Sequence, residues 1–315
     1  MGMIGKLSAA ALLAGAAALA VFWVATGPDR LPAATVSELA AGDAGRGERI
    51  FWAGGCTSCH AAPKSEGEAR LQLAGGEELD TPFGVFVPPN ISQDPVDGIG
   101  GWTVEDFANA MMRGVSPDGE HYYPAFPYTS YARMRPQDVA DLYAFMKTLP
   151  AAPGAAADHR LGFPFTVRRG LGLWKLLYLD DEPVVDFPAG APDLVLAGRY
   201  LAEGPGHCGE CHTPRDMLGG AEKERWLSGA AAAEGEGVVP NITPGEDGLA
   251  WSASEIADYL ETGFTPEFDS VGGAMVEVQK NMARLPQEDR DAIAAYLKAV
   301  PPHPNGYPVR QPASN

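Results

Sequence analysis

The sequence is short of positive charge and of cysteine. Its 315 residues include 23 lysines and arginines against 41 acidic residues, a formal net charge of −18, and only four cysteines. The acidity argues against nucleic acid as a partner, because a phosphate backbone recruits basic side chains. There is no glycine-rich phosphate loop and no Ser/His/Asp spacing. No convincing strand alternation appears either, so the sequence predicts an all-α fold.

All four cysteines fall in two copies of one pentapeptide. Each copy reads Cys-x-x-Cys-His, at Cys56–His60 and at Cys208–His212. This spacing is the attachment signature of a c-type haem, in which both thiols bond to the porphyrin and the histidine binds the iron. Zinc half-sites or redox dithiols would not explain a histidine after both second cysteines. The pattern predicts two covalently bound haem c groups. The attachment residues would be Cys56, Cys59, Cys208 and Cys211, and the proximal iron ligands His60 and His212.

The N-terminal segment is uncharged and mostly apolar from Leu7 to Gly27. That is about the length of ~20 residues that spans a bilayer, whereas the apolar core of a cleaved signal peptide is usually shorter. The pattern favours an N-terminal transmembrane helix, with a cleaved signal as the alternative. In either case we expect the bulk of the chain to be exported. With the anchor, the protein would lie at the inner membrane with its soluble domains facing the periplasm.

An internal repeat follows the N-terminal segment. Val87–Ser92 reappears as Val239–Thr243, and Trp102 reappears as Trp251, each before a helix with a predicted capping box. Each repeat closes with a helix that begins at a proline, predicted over 136–149 and 286–300. The repeat predicts two tandem class I-like cytochrome c domains. The predicted divisions are an anchor or signal over 1–27, a spacer over 28–43, domain 1 over 44–150, an interdomain segment over 151–190, domain 2 over 191–303 and a tail over 304–315.

A methionine is expected as the sixth iron ligand in each repeat, because an electron carrier favours His/Met ligation. In the first repeat we favour Met134, which lies in the loop just before Pro136. The other methionines there lie inside predicted helices, where methionine commonly fills the core; they are Met111, Met112 and Met146. His121 is the alternative ligand.

In the second repeat, Met275 follows a flexible glycine-containing stretch and is favoured over Met282, which lies nearer the closing helix. Arg215, three residues past His212, is predicted to pair with a haem propionate through its guanidinium fork. Solvation of Arg215 at the surface is the alternative.

Several segments resemble the cytochrome c subunits of membrane-bound alcohol and gluconate dehydrogenases. They are residues 121–128, 163–175, 206–215 and 239–243, and the resemblance covers roughly 44–303. It implies that the protein takes electrons from a periplasmic dehydrogenase and passes them on. Two departures stand out. Those subunits typically have three haem motifs, and many have a methionine where this chain has Phe126. The second departure moves the ligand role to Met134 or leaves the first haem differently ligated.

These observations predict a membrane-anchored dihaem cytochrome c that carries electrons from a periplasmic dehydrogenase to the respiratory chain. The acceptor would be a cytochrome, a quinone or a terminal oxidase. We expect an electron-transfer protein or a subunit of an oxidoreductase complex rather than a free-standing enzyme. The alternative is a haem enzyme, such as a dihaem peroxidase with one open iron.

Overall fold

The computed structural model describes residues 3–233 and 237–307; the predicted tail therefore lies outside the described residues from position 308 onward. The helices within the described ranges are α1 (Met3–Ala25), α2 (Ala33–Ser37), α3 (Ala44–Ala53), α4 (Cys56–His60), α5 (Val104–Arg113), α6 (Tyr128–Tyr131), α7 (Pro136–Met146), α8 (Leu171–Tyr178), α9 (Asp193–Glu203), α10 (Gly209–His212), α11 (Ala253–Thr262), α12 (Met275–Met282) and α13 (Gln287–Ala299). Short 3-10 turns lie at Gly67–Gln72, Arg168–Gly170 and Lys223–Arg225.

The prediction of an all-α fold is wrong, because two small antiparallel sheets accompany the helices. The strands are β1 (Leu79–Thr81), β2 (Gly84–Phe86), β3 (Arg160–Leu161), β4 (Ala230–Ala231) and β5 (Val238–Val239). The sheet order is β1-β2-β3, with Leu79 opposite Phe86 and Gly84 opposite Leu161, while β4 pairs with β5. Each strand has only two or three residues. Alternation of apolar and polar residues indicates a strand only over about four to eight residues, so strands this short give no detectable pattern in the sequence.

The prediction of an N-terminal transmembrane helix is also wrong: among the residues described, none of the helices is both long and apolar enough to cross a membrane. The chain forms α1 there, and residues of the first repeat and of the interdomain segment contact the C-terminal end of this helix. The Arg169 guanidinium stacks over the Trp23 ring at 4.1 Å, and Thr26 is buried. His121 Nε2 donates to the Thr26 carbonyl at 3.0 Å. The apolar run counted in the sequence therefore includes residues that the fold uses for packing.

In each repeat the opening helix crosses the closing helix at a glycine. A Cβ added to Gly47 in α3 would lie 1.9 Å from the Asp141 carbonyl oxygen in α7. A Cβ added to Gly198 in α9 would lie 1.8 Å from the Ala292 carbonyl oxygen in α13. Only glycine permits backbones to approach so closely. Each crossing forms the base of a separate hydrophobic core, one per repeat.

The middle helix of each repeat has the predicted caps. Thr103 and Asp106 form a capping box at the start of α5, as Ser252 and Glu255 do for α11. The sequence-based prediction of these boxes is confirmed. Both helices end at a glycine with positive φ, Gly114 at 58° and Gly263 at 76°. These matched ends place the two distal loops in corresponding positions.

The segment between the repeats lies against both of them. Trp174 in α8 donates its Nε1 hydrogen to the Leu218 carbonyl of the second repeat at 2.9 Å. The next residue, Lys175, is buried and donates to the Gly114 carbonyl of the first repeat at 2.7 Å. A buried ammonium needs such oxygen partners, and the helix end supplies them. The segment therefore joins the end of α5 to the loop after the second attachment motif.

Candidate haem attachment sites

Each Cys-x-x-Cys-His motif folds into about one turn of helix. The first forms α4, and the second forms α10 with Cys208 in helical conformation just before it. Residues three apart on a helix lie on the same face. The two thiols of each motif are therefore side by side and the histidine follows on the next position. This arrangement fits a macrocycle that offers two vinyl groups and one iron.

The two motif histidines have the same orienting contact. Nδ1 of His60 lies 2.8 Å from the Pro89 carbonyl oxygen, and Nδ1 of His212 lies 2.8 Å from the Pro240 carbonyl oxygen. A carbonyl only accepts, so Nδ1 carries the hydrogen and Nε2 keeps its lone pair. Burial lowers the pKa of both imidazoles, which favours the neutral form that binds a metal. A carbonyl that accepts from the ring nitrogen away from the metal is typical of metal-binding histidines.

A buried asparagine fixes each of these prolines. Asn90 and Asn241 directly follow Pro89 and Pro240 in the repeated segment. The Nδ2 group of Asn90 donates to the Ala152 carbonyl at 2.7 Å, and that of Asn241 to the His303 carbonyl at 2.8 Å. Each asparagine Oδ1 accepts from the backbone N–H two residues on, at 2.8 and 2.9 Å. The loop that orients each histidine is thus tied to the chain beyond the closing helix.

Sequence reasoning found the repeated segment but assigned it no role. The usable signal was an asparagine followed two positions later by serine or threonine, in the same register of both repeats. Such an asparagine commonly bonds the backbone two residues on and stabilises a turn.

The middle residues of each attachment turn bond to the opposite repeat. Asn281 in α12 accepts from Thr57 Oγ1 at 2.9 Å and donates to Ser58 Oγ at 3.0 Å. In the second motif Glu210 accepts from Ser130 Oγ of the first repeat at 2.9 Å. Asn281 and Ser130 occupy corresponding places, in the short helix that follows each distal loop. Each repeat therefore supports the other's attachment turn.

The two motifs adjoin through His207. Its Nε2 donates to the Gly54 carbonyl at 3.2 Å, and its ring lies 5.7 Å from that of Tyr131. Gly54 is two residues before Cys56, and His207 directly precedes Cys208. The attachment points of the two repeats are thus neighbours across this contact.

Arg215, the predicted propionate partner, bonds within its own loop. Its Nη2 donates to the Glu210 carboxylate at 2.5 Å and its Nη1 to the Gly219 carbonyl at 2.8 Å. Burial works to raise the pKa of Glu210, but the charge and hydrogen bond of Arg215, together with Ser130 and His207, outweigh it and the pKa falls below its usual value. A propionate contact of Arg215 stays a prediction.

The favoured methionines lie in the same cores as the motifs they were assigned to. Met134 is buried in the first core, against which Cys56 packs. Met275 is half-buried at the start of α12 and packs on the second core, as Cys208 does. The remaining candidates are buried core residues: Met111, Met112, Met146 and Met282. The alternative ligand His121 donates to Thr26 instead.

Comparison with known proteins agrees with this geometry. The family model for cytochrome c matches residues 44–150. A dihaem c-type cytochrome from Cereibacter sphaeroides is 55% identical over 302 residues, which covers 92% of this chain and 95% of that protein. The chain belongs to the dihaem c-type cytochromes. The cytochrome carries covalently bound haem c, which confirms the prediction from the two motifs.

The cytochrome is also similar to subunits of dehydrogenases. The cytochrome c subunit of a quinone alcohol dehydrogenase from Gluconobacter oxydans is 34% identical over 272 residues, 83% of this chain and 55% of that subunit. The gluconate 2-dehydrogenase cytochrome c subunit of Pantoea cypripedii is 35% identical over 265 residues, 81% of this chain and 59% of that subunit. The cytochrome thus spans little more than half of these relatives. The resemblance stated from the sequence is confirmed, and it implies a role in electron transfer.

Proposed function

We propose that the cytochrome accepts electrons from a dehydrogenase on the periplasmic side and delivers them to the respiratory chain. The acceptor would be a cytochrome, a quinone or a terminal oxidase. The observation that carries this proposal is the contact between the two motifs, where His207 bonds to Gly54. It makes the two attachment points neighbours, as electron transfer from one haem to the other requires. The similarity to dehydrogenase subunits supports a dehydrogenase as the donor.

The chain's own residues would hold and orient the cofactors. A c-type haem supplies an iron that takes up and releases one electron. His60 and His212 would bind the irons through Nε2, with each ring held by its proline carbonyl. A fixed ligand limits rearrangement when the charge of the iron changes. Met275 would supply a thioether ligand to the iron of the second haem, since it lies on the same core as Cys208.

The acidity of the protein would favour a basic surface on its redox partner. With a formal charge of −18, long-range attraction would accelerate encounter with such a partner and weaken as salt is added. A fall in the electron-transfer rate with ionic strength would accord with this role. A rate that did not change with salt would indicate that the charge serves solubility.

The donor can be tested on the cytochrome isolated from its own cells under conditions that preserve complexes. Ethanol and gluconate are added in turn without oxygen, and reduction of the haem is followed by absorbance. We expect one of these substrates to reduce both haems. The matched control is the Cys208→Ser/Cys211→Ser double variant, in which only one haem should be reduced. If dithionite reduces both haems and no substrate reduces either, an alcohol or gluconate dehydrogenase is excluded as the donor.

A further inference from the structure

The distal loops of the two repeats can be aligned through their backbone hydrogen bonds. Gly114 ends α5 and Gly263 ends α11, 149 positions apart. The Tyr122 N–H donates to the Gly114 carbonyl at 2.8 Å, and the Val271 N–H donates to the Gly263 carbonyl at 2.7 Å. Tyr122 and Val271 are also 149 positions apart, so the loops run in register from the helix end to this point.

The isolated bridges support the same register. Val115 pairs with His121 in the first loop, and Phe264 pairs with Ser270 in the second. Each loop then makes a turn, over residues 124–125 and 273–274 respectively.

The residue that follows this turn differs between the repeats. It is Phe126 in the first and Met275 in the second, again 149 positions apart. Met275 packs on the core that Cys208 contacts, and Phe126 packs on the core that Cys56 contacts. The first repeat therefore has a phenyl ring where the second has a thioether. A phenyl ring offers no lone pair to iron.

Met134 corresponds to a leucine rather than to a ligand. The Met134 N–H donates to the Tyr131 carbonyl at 3.0 Å, and the Leu285 N–H donates to the Met282 carbonyl at 3.1 Å. Both residues stand just before the closing helix, and each is 3% exposed in the core of its repeat. Leucine cannot bind a metal, so in the second repeat this place serves packing alone. The same role accounts for the burial of Met134.

We propose that the iron of the first haem receives no methionine ligand, and that it binds a small neutral diatomic gas beside Phe126. This inference rests on the proposed function only in requiring both haems to be attached. The ring contacts of Phe126 are with Tyr122 at 5.9 Å and Tyr131 at 5.6 Å. An aromatic wall of this kind suits an uncharged ligand, because these rings give an anion no cationic side chain in exchange for its lost hydration.

Carbon monoxide is the probe, added to the purified, dithionite-reduced holoprotein and titrated by absorbance. We expect one carbon monoxide bound per chain, so that half of the haem shifts. Phe126→Met supplies a thioether at the aligned position and should abolish binding. Phe126→Leu keeps the position apolar and should retain it. Met275→Phe should raise binding to two per chain, whereas Met134→Leu should leave it at one.

The same series contains the results that would overturn the proposal. If the unaltered protein binds no carbon monoxide, both irons are six-coordinate and the proposal fails. Gain of one site by Met134→Leu would then identify Met134 as the ligand. The haem content of every variant is measured first, and two haems per chain are required. If Phe126→Met does not retain both haems, carbon monoxide binding by Phe126→Leu and Met275→Phe decides whether the proposal holds. Reduction by a dehydrogenase substrate is measured separately, so failure of the proposed function would be recognised independently.

Discussion

Arg49 of the first repeat donates to Asp289 of the second, with Nε 2.5 Å from Oδ2. The corresponding contact runs the other way: Tyr200 of α9 donates to Asp138 of α7. Gly47 and Gly198 precede Arg49 and Tyr200 by two residues, so the two donors occupy matching places. The repeats thus hold each other through a reciprocal pair of contacts between opening and closing helices.

Loss of this ion pair should weaken the junction. Asp289 is 1% exposed, whereas the side chain of Arg49 is 49% exposed. Asp289→Ala removes the buried acceptor, and we expect the free energy of unfolding of the holoprotein to fall by about 2 kcal/mol. Denaturant unfolding measures it. Glu78→Ala is the control, because its pair with Arg160 is exposed on both sides and should matter by less than about 1 kcal/mol. Equal losses in the two variants would contradict a special role for the junction.

A second buried carboxylate, that of Asp141, should make the stability of the protein depend on pH. Asp141 is fully buried; burial works to raise its pKa, but hydrogen bonds from Arg46, the Asp43 N–H and Gln137 outweigh this and lower it. A depressed folded pKa contributes stability above the unfolded value near 3.9, which is lost as pH falls through the folded value.

We therefore expect Asp141→Asn to cost about 2 kcal/mol at neutral pH and to reduce the loss of stability below about pH 4. Unfolding curves from neutral pH down to about pH 2 measure this effect. Asp193→Asn, which removes an exposed carboxylate at a helix start, is the control for the loss of one negative charge. A variant that loses stability in acid as steeply as the unaltered protein would show that Asp141 is not responsible.

Adding one methyl group at either helix crossing should lower the free energy of unfolding. Gly47→Ala and Gly198→Ala each place a Cβ within 2 Å of a carbonyl oxygen of the closing helix. The helices must separate, and we expect a loss of about 2–3 kcal/mol in unfolding free energy for each. Gly170→Ala is the matched control, because Gly170 has αR backbone angles and open space around its Cβ position. It should be neutral or slightly stabilising. A small effect at Gly47 would mean that the crossing can relax.

The carboxylate of Glu210 should lower the midpoint potential of the second haem. It lies within the attachment motif, and its pair with Arg215 keeps it ionised. A negative charge beside an iron favours the oxidised state, so Glu210→Gln should raise one midpoint potential by roughly tens of millivolts. Potentiometric titration followed by absorbance measures it. Asp193→Asn should shift neither potential, and a shift of equal size in that control would point to net charge alone.

Local signals in the sequence were read correctly where they depended on neighbouring residues. The attachment motifs and the capping boxes at Thr103 and Ser252 follow from short spacings, and the structure has helices at each place. Helix ends differ: the sequence predicts the first closing helix to Leu149, and it ends at Met146. Final turns fray or tighten according to packing that short spacings do not encode.

Features that depend on distant partners were missed. The strands β1 to β5 are too short to alternate, and β3 pairs with β2 from at least 75 positions further along the chain. The apolar run at the N-terminus did not reveal that Trp23 and Thr26 are engaged by Arg169, 143 or more positions away. The register of Phe126 with Met275 became visible only through matched backbone bonds. Each of these required knowledge of which segments meet.

The exchange of support between the attachment turns makes this chain the equivalent of a homodimer joined by a tether. Ser130 and Asn281 play one part on the two sides, as partners do across an isologous interface. A single repeat on its own would expose both an unsupported attachment turn and the residue meant to support its twin. It would therefore be expected to self-associate. The difference between Phe126 and Met275 is then what a tether permits and an identical pair does not: two similar sites with different coordination chemistry.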